Sequence, residues 1–232
     1  MTPTRRTLTA CAALTVLAAV TLSGCTGGGE DGGQTPEETL AAAKATLDET
    51  SGVRIELETE KLPPAVDGIL SAVGVGTHAP AFEGDLRVSA GGIAVDVPVV
   101  AAQGKVSARL PFTTEFVAVD PADYSAPDPA ALMDTESGLS SLLTAAEGVE
   151  EGEQVRSGED VLSSFTGTVP GGVVAGIIPS AGDSDFDATF TVDDQDRLRE
   201  AVLTGPFYPG AEEVTYTIVF DDYDTSADIA LP

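Results

Sequence analysis

Apolar and polar residues alternate with a period of two along much of this chain. In "VRIELETE", Val53, Ile55 and Leu57 alternate with Arg54, Glu56 and Glu58, the pattern of a strand with one wet face. In "FEGDLRVSA", Phe82, Leu86 and Val88 alternate with Glu83, Asp85 and Arg87. In "IAVDVPV", Ile93, Val95, Val97 and Val99 share one phase, with "AGG" between the two segments as a turn. "KVSARL", "EFVAV" and "FTGTV" follow. "FDATFTV" puts Phe186, Ala188, Phe190 and Val192 on one side, and "VTYTIVF" does the same with Val214, Tyr216, Ile218 and Phe220. Roughly ten short strands at hairpin spacing predict a large, mostly antiparallel sheet with one apolar face. The phase assigns Leu86, Val88, Ile93, Val95, Val97 and Val99 to the covered face. It sends Asp85, Arg87 and Asp96 to solvent.

A period of 3.6 takes over in four places. "PEETLAAAKATLDET", Pro36 to Thr50, has Thr35 as a cap, Pro36 in the first turn, two glutamates beside the positive helix end, and a stripe of Leu40, Ala43 and Leu47. Amphipathic helices are also expected at Pro64–Gly76, Asp128–Gly148 and Pro170–Ala181, where they would cover the apolar face. The predicted fold class is α+β, a large curved antiparallel sheet (a half-barrel) wrapped over helices.

The first 24 residues do not fit this pattern. Arg5 and Arg6 precede an apolar run from Leu8 to Val20, too short for a comfortable membrane span and followed by small residues, which is the layout of a secretory signal peptide. The run ends in "LSGC". Cys25 and Cys11 are the only cysteines, and Cys11 lies inside the apolar run. "LSGC" resembles the bacterial lipobox, which implies removal of residues 1–24 and acylation of Cys25 as the new N-terminus by a diacylglycerol anchor and palmitate-type chains. "TRRTLTA" fits the twin-arginine export pattern only loosely. Residues 25–36 then form the anchor and a Gly-rich tether, "TGGGEDGGQTP", with nothing to bury. Residues 37–232 form a single domain with no fixed-period repeat.

Composition narrows the range of functions. Without its first 24 residues the chain keeps 9 of 11 Lys and Arg against all 38 Asp and Glu, a net charge of about −29. Nucleic acid and anionic membrane surfaces repel such a body, so attachment to a membrane falls to the lipid anchor. The acidity otherwise reads as solubility outside the cell.

Catalytic signals are sparse. The single histidine, His78, lies in a loop, "VGTHAP", and no GxSxG elbow accompanies it. "DSDFD" places Asp183, Asp185 and Asp187 as an EF-hand loop would begin, yet Ala188 stands at the glycine position and Asp194 at the final glutamate position. "DDQD" (Asp193–Asp196) and "DDYD" (Asp221–Asp224) read as hairpin turns. "PGGVVAG" lacks the Lys-Ser/Thr of a phosphate loop. No enzyme activity, cofactor or metal is expected. The small aliphatic residues of the apolar face are compatible with a solid core and with a cavity.

The segments "FEGDLRVSAGGIAVDVPVVAAQGKVSARLPF", "DPADYSAPDPAALMDTESGLSSLL", "FTGTVPGGVVAGIIPSA" and "LTGPFYPGAEEVTYTIVFDDY" resemble the LppX/LprA/LprF/LprG lipoproteins of mycobacteria and related actinobacteria, from about Leu40 to Pro232. The resemblance implies a half-barrel similar to the LolA/LolB carriers, with an apolar cavity that binds acylated lipids or lipoglycans for movement across the cell envelope. Guided by that architecture and by apolar phase, the expected cavity walls are Val73, Leu86, Val88, Ile93, Val95, Val97, Leu139, Leu142, Leu143, Phe165, Val173 and Ile177. The implied partners are an acylated lipid or glycolipid, the membrane through lipidated Cys25, and a membrane lipid transporter, for a monomer on the extracytoplasmic face of the cell membrane. Two other classes remain open: a receptor or interaction lipoprotein with a filled core, and an esterase acting on bound lipid.

Overall fold

The computed structural model describes residues 34–232 except 125, 158 and 159. The expected signal peptide, the expected acylation site Cys25 and the expected tether up to residue 33 lie outside the described residues. Twelve strands form one open, curved sheet in which every pairing is antiparallel. They are β1 (Gly52–Glu58), β2 (Gly68–Thr77), β3 (Ala81–Ala90), β4 (Ile93–Ala102), β5 (Lys105–Ala108), β6 (Val117–Val119), β7 (Glu147–Glu151), β8 (Val155–Ser157), β9 (Asp160–Val169), β10 (Phe186–Val192), β11 (Leu198–Gly205) and β12 (Val214–Asp221). The order is β6-β5-β4-β3-β2-β1-β12-β11-β10-β9-β7, with β8 also paired to β9. Two meanders therefore meet where β1 pairs with β12, Ile55 opposite Phe220 and Leu57 opposite Ile218.

The first helix, α1 (Pro36–Glu49), forms as its sequence predicts. Thr35 Oγ1 accepts from the Glu38 N–H at 3.2 Å, and the Glu38 carboxylate accepts from the Thr35 N–H at 2.9 Å, a closed capping box. Its stripe of Leu40, Ala43 and Leu47 is buried. Two shorter helices, α2 (Ser141–Ala145) and α3 (Gly171–Ile177), complete the helical content beside two 3-10 turns, so the fold is mostly sheet.

Two helical expectations are corrected. Pro64–Gly76 contains no helix, and from Gly68 onward it is β2, hydrogen-bonded to β1 on one side and β3 on the other. Apolar spacing there suits either element, but Gly68, Gly74 and Gly76 each disfavour a helix by roughly 1 kcal/mol, and a central strand satisfies its backbone on both edges. Asp128–Gly148 is broken into a 3-10 turn at Pro129–Met133, α2 and the start of β7. Asp134 interrupts it by accepting from the Ser137 hydroxyl (2.8 Å) and from the N–H groups of Ser137 (2.7 Å) and Glu136 (3.0 Å). Those hydrogen bonds, the Ser137 hydroxyl first, hold its carboxyl below the ordinary carboxylate value. Strands β2, β7, β8 and β11 are not individually expected from the alternation. "DDQD" makes the β10–β11 turn, while "DDYD" closes β12 and leads into the C-terminal segment rather than a hairpin.

The larger core lies where α1, α2 and α3 cover β1 and β9–β12. Phe186, Phe190, Phe207 and Phe220 are all within 1 % of full burial. Phe207 stands edge-on between Phe186 (4.8 Å) and Tyr216 (4.9 Å). Tyr216 donates to the Ile69 carbonyl at 2.7 Å, which leaves its oxygen to accept from the Tyr208 hydroxyl at 2.7 Å, and Tyr223 donates to the Leu198 carbonyl at 2.7 Å. Burial raises all three phenols above their ordinary value of 10.0. A raised folded-state value favours the folded protein at lower pH, and that contribution is lost as pH climbs past 10 toward the folded values. Alkaline titration is therefore expected to release the phenolate absorbance of these three tyrosines together with the loss of circular dichroism. Phenolates appearing well before unfolding would contradict that burial.

Candidate functional site

Facing pairs across the ladders fix which side chains share the inner face. Val53 and Ile55, which sit in the larger core, lie opposite Gly76 and Gly74. From there the inner phase runs through Phe82, Gly84 and Leu86 on β3, then Val95, Val97, Val99 and Ala101 on β4, Val106 and Ala108 on β5, and Val117 and Val119 on β6. Asp85, Arg87 and Asp96 are exposed on the other face, where Arg87 and Asp96 pair at 3.0 Å. The expected division of β3 and β4 into two faces holds.

The cover over that inner face is unequal. The β1 and β9–β12 half carries the three helices. Over β2, β3 and β4 lies the 3-10 turn Pro129–Met133, whose first turn is capped by the Asp128 carboxylate accepting from the Ala130 N–H at 2.9 Å. Gly76 lets this turn come close, since a Cβ there would stand 2.8 Å from Met133 Cγ. A second, smaller apolar cluster results: Phe82, Val97, Val99, Ala101, Val106, Ala108 and Ala130 are buried, and Leu86, Val88, Val95, Leu110 and Val119 are only partly so. Toward the β3–β4 hairpin tip and the β6 edge the apolar phase opens to solvent, with Ile93 67 % and Val117 39 % exposed.

The twelve residues expected to line one cavity are found in three places. Leu139, Leu142, Leu143, Phe165 and Ile177 are buried in the larger core, with Val173 packed against it. Val97, Leu86, Val88 and Val95 belong to the second cluster, and Ile93 extends their phase beyond it. Val73 is on the wrong face. It pairs with Glu56 and Asp85 on the wet side and is 40 % exposed, because β2 is a strand and its register with β1 points Ala72 and Gly74 inward instead. Val99, Val106, Ala108, Leu110, Val117, Val119 and Ala130 share the second cluster's face and are absent from the expected set. For Val99, Val106, Ala108 and Leu110 the signal is legible as the apolar phase continuing through "VVAAQGKVSARL", and for Val117 and Val119 as the alternation in "EFVAV".

Two clefts open among the described residues, and neither is an enclosed space beneath the sheet. One cleft of about 510 Å³ lies at the end of α1, between Asp48, His78, Asp128 and Met133. Another of about 430 Å³ is bordered by Pro63, Pro64 and Pro209. In the first of these His78 serves the fold, since its Nε2 donates to the Leu47 carbonyl at 2.9 Å and ties the β2–β3 turn to the last turn of α1. On the neighbouring side, Lys44 Nζ reaches Asp48 (2.5 Å) and the Thr135 carbonyl (2.5 Å), while Ser140 donates to Asp48 at 2.6 Å. These contacts pin α1 to the segment before α2.

The sequence profile of the LppX_LprAFG lipoprotein family matches residues 35–229. The chain belongs to that family. Among solved structures it is similar to LprF from Mycobacterium bovis, at 15 % identity and a TM-score of 0.68 over 85 % of this chain and 96 % of that one. It is also similar to the lipoprotein LppX from Mycobacterium tuberculosis, at 15 % identity and a TM-score of 0.62 over 84 % and 97 %. At such identities the likeness is one of fold. A LolA-superfamily protein from Nitrosomonas europaea also matches, at 8 % identity and a TM-score of 0.29 over 86 % and 96 %. No curated protein sequence matches. The family is one of lipoproteins, and an envelope-associated, lipid-binding role agrees with its membership.

Proposed function

We propose that this protein binds acylated lipids or lipoglycans and carries them across the cell envelope, with acyl chains lying along the inner face of β3–β6. One observation supports the reading above the rest. A continuous run of inward aliphatic side chains, Leu86, Val88, Val95, Val97 and Val99, is met by the short 3-10 turn Pro129–Met133 rather than by an α-helix, and is left partly wet at one end. Each methylene buried there contributes about 0.8 kcal/mol, so a chain of about a dozen methylenes gains on the order of 10 kcal/mol before entropy is charged. The walls expected on α2, α3 and β9 serve in this reading as the solid floor that holds the sheet, rather than as lining. No catalytic step is required.

Attachment would come from Cys25, acylated on the extracytoplasmic face of the cell membrane. Among the described residues no helix is long and apolar enough to cross a membrane. The domain would act as a monomer that receives cargo from, or passes it to, a membrane lipid transporter.

Organic extraction of the purified full chain, followed by mass spectrometry, is expected to recover two kinds of lipid: the thioether-linked anchor and a non-covalent acylated ligand. In Cys25→Ala the precursor should remain unprocessed and the thioether mass should vanish, while the non-covalent ligand persists. A wild type with no extractable ligand would overturn the carrier reading. It would favour an interaction lipoprotein, to which the densely packed larger core is equally suited.

A further inference from the structure

We propose that the β5–β6 loop, Arg109–Phe116, is where this protein enters a phospholipid bilayer, with Phe112 as the inserting side chain and Arg109 as the headgroup contact. The proposal rests on the lipid-binding reading above and adds to it a partner and an orientation.

Phe112 is fully exposed and its φ is 68°, a left-handed conformation that bulky side chains seldom adopt. Two hydrogen bonds to the Leu110 carbonyl hold it there, from the Thr113 N–H at 3.1 Å and the Thr113 hydroxyl at 2.7 Å. Leu110, two residues earlier, does pack against the second cluster. The turn thus keeps the ring in water when an apolar surface is within a few residues. An outlier of this kind is where strain and function coincide.

Arg109 supplies the polar half. Its N–H donates to the Pro98 carbonyl at 3.0 Å, extending the β4–β5 ladder, and its guanidinium sits 5.6 Å from the centre of the Phe116 ring. It is exposed and, among the described residues, forms no ion pair. A cation left unpaired in a chain of net charge −27 suits a phosphate. An aromatic ring and an arginine on one turn suit a bilayer interface.

Placement adds a third argument. β4 runs from Ile93 to Ala102 and pairs antiparallel with β5 through Val99 and Ala108. The chain therefore leaves β5 opposite Val99, midway along β4, and returns as β6 with Val117 opposite Ala108. Phe112 lies within the loop and Val117, 39 % exposed, stands at its end opposite Ala108, so the loop presents two exposed apolar side chains beside the inner face of β5 and β6. Phe112 and Val117 together offer on the order of 350 Å² at most, short of the roughly 800 Å² per partner that a stable protein interface buries. A bilayer has no such minimum. The ten peptide units from Cys25 to Thr35 extend to about 35 Å at most, so an acylated N-terminus keeps a bilayer within reach of the domain.

The chain contains no tryptophan, so F112W introduces its only indole. With the purified full chain and phosphatidylcholine vesicles, F112W emission is expected to shift to shorter wavelength and to be quenched by lipids brominated in the upper acyl chain. V155W, at a half-exposed position on the far side of the sheet order, is expected to keep a solvent-like spectrum. F112D should slow transfer of a fluorescent lipid to acceptor vesicles by tenfold or more without lowering thermal stability. A solvent-like F112W in the presence of vesicles overturns the proposal. So does a shift that follows protein concentration without vesicles, which identifies a second copy of the chain as the occupant. Extraction of lipid from the same F112W preparation separates the two readings: ligand present with no indole shift leaves the carrier standing and removes the loop, whereas absent ligand removes the carrier whatever the indole reports.

Discussion

Phe207→Ala is expected to lower unfolding stability by about 3–5 kcal/mol, while Leu86→Ala on the same sheet costs about 1 kcal/mol or less. The two side chains differ in what would close around the vacancy. Phe207 is 1 % exposed and held edge-on between Phe186 and Tyr216. Its neighbours belong to β10 and β12, each hydrogen-bonded on both edges, and Tyr216 is tied to the Ile69 carbonyl besides. Such surroundings relax little, so removal forfeits the buried ring, two aromatic contacts and the packing around the cavity left behind. Leu86 is only partly buried, in the cluster met by the short 3-10 turn Pro129–Met133 rather than by an α-helix. Truncating it removes a fraction of a side chain from a surface already partly wet. Urea titrations of both variants with unchanged slopes would measure the difference directly. Equal losses would mean that the inner face of β3–β6 is structural core, and the lipid site would have to be sought elsewhere.

That division between a filled half and an open half is only partly legible in the sequence. Period two on β3 and β4 locates the wet and dry faces correctly, because a strand with one solvated face has no other way to satisfy Asp85, Arg87 and Asp96. The cap at Thr35 locates the start of α1, because the capping box is a local structure decided within four residues. β2 is misread because "VDGILSAVGVGT" carries apolar residues at spacings that fit a helix; pairing with strands on both sides, a non-local fact, decides the outcome. Val73 is lost with it, since changing a helix to a strand reassigns every side chain to a face. The Asp128–Gly148 helix fails for a local reason that is readable in principle: Asp134 with Ser137 and Gly138 is a turn-forming set. Which half of the apolar face the helices cover depends on how the two meanders join at β1 and β12, and no spacing within the chain encodes that. Phe112 is invisible for the opposite reason, since an apolar residue near a strand end is ordinarily read as core.

Val95→Trp is expected to abolish most non-covalent lipid binding, by tenfold or more, with a melting temperature close to that of the wild type. Val95 lies on the inner face of β4, opposite Val88 on β3 and two residues from buried Val97, and is itself half-buried. Because Val95 is only partly buried, an indole there is expected to lie over Leu86 and Val88 and occupy the ground an acyl chain would use. The same enlargement at Leu143, 2 % exposed in the larger core, meets filled volume and should instead destabilise by about 1–3 kcal/mol while leaving bound lipid per folded molecule unchanged. Measuring thermal unfolding and extractable lipid on both variants therefore tests the function and its location together. A Val95→Trp protein that keeps its full lipid load would move the acyl chains off β3–β4. One that simply unfolds would show that this face is packed in solution, and with it the argument for a carrier would lose its support. The informative outcome is the crossed one, lipid lost with the fold intact at Val95 and fold weakened with lipid intact at Leu143, because no uniformly packed sheet would produce it.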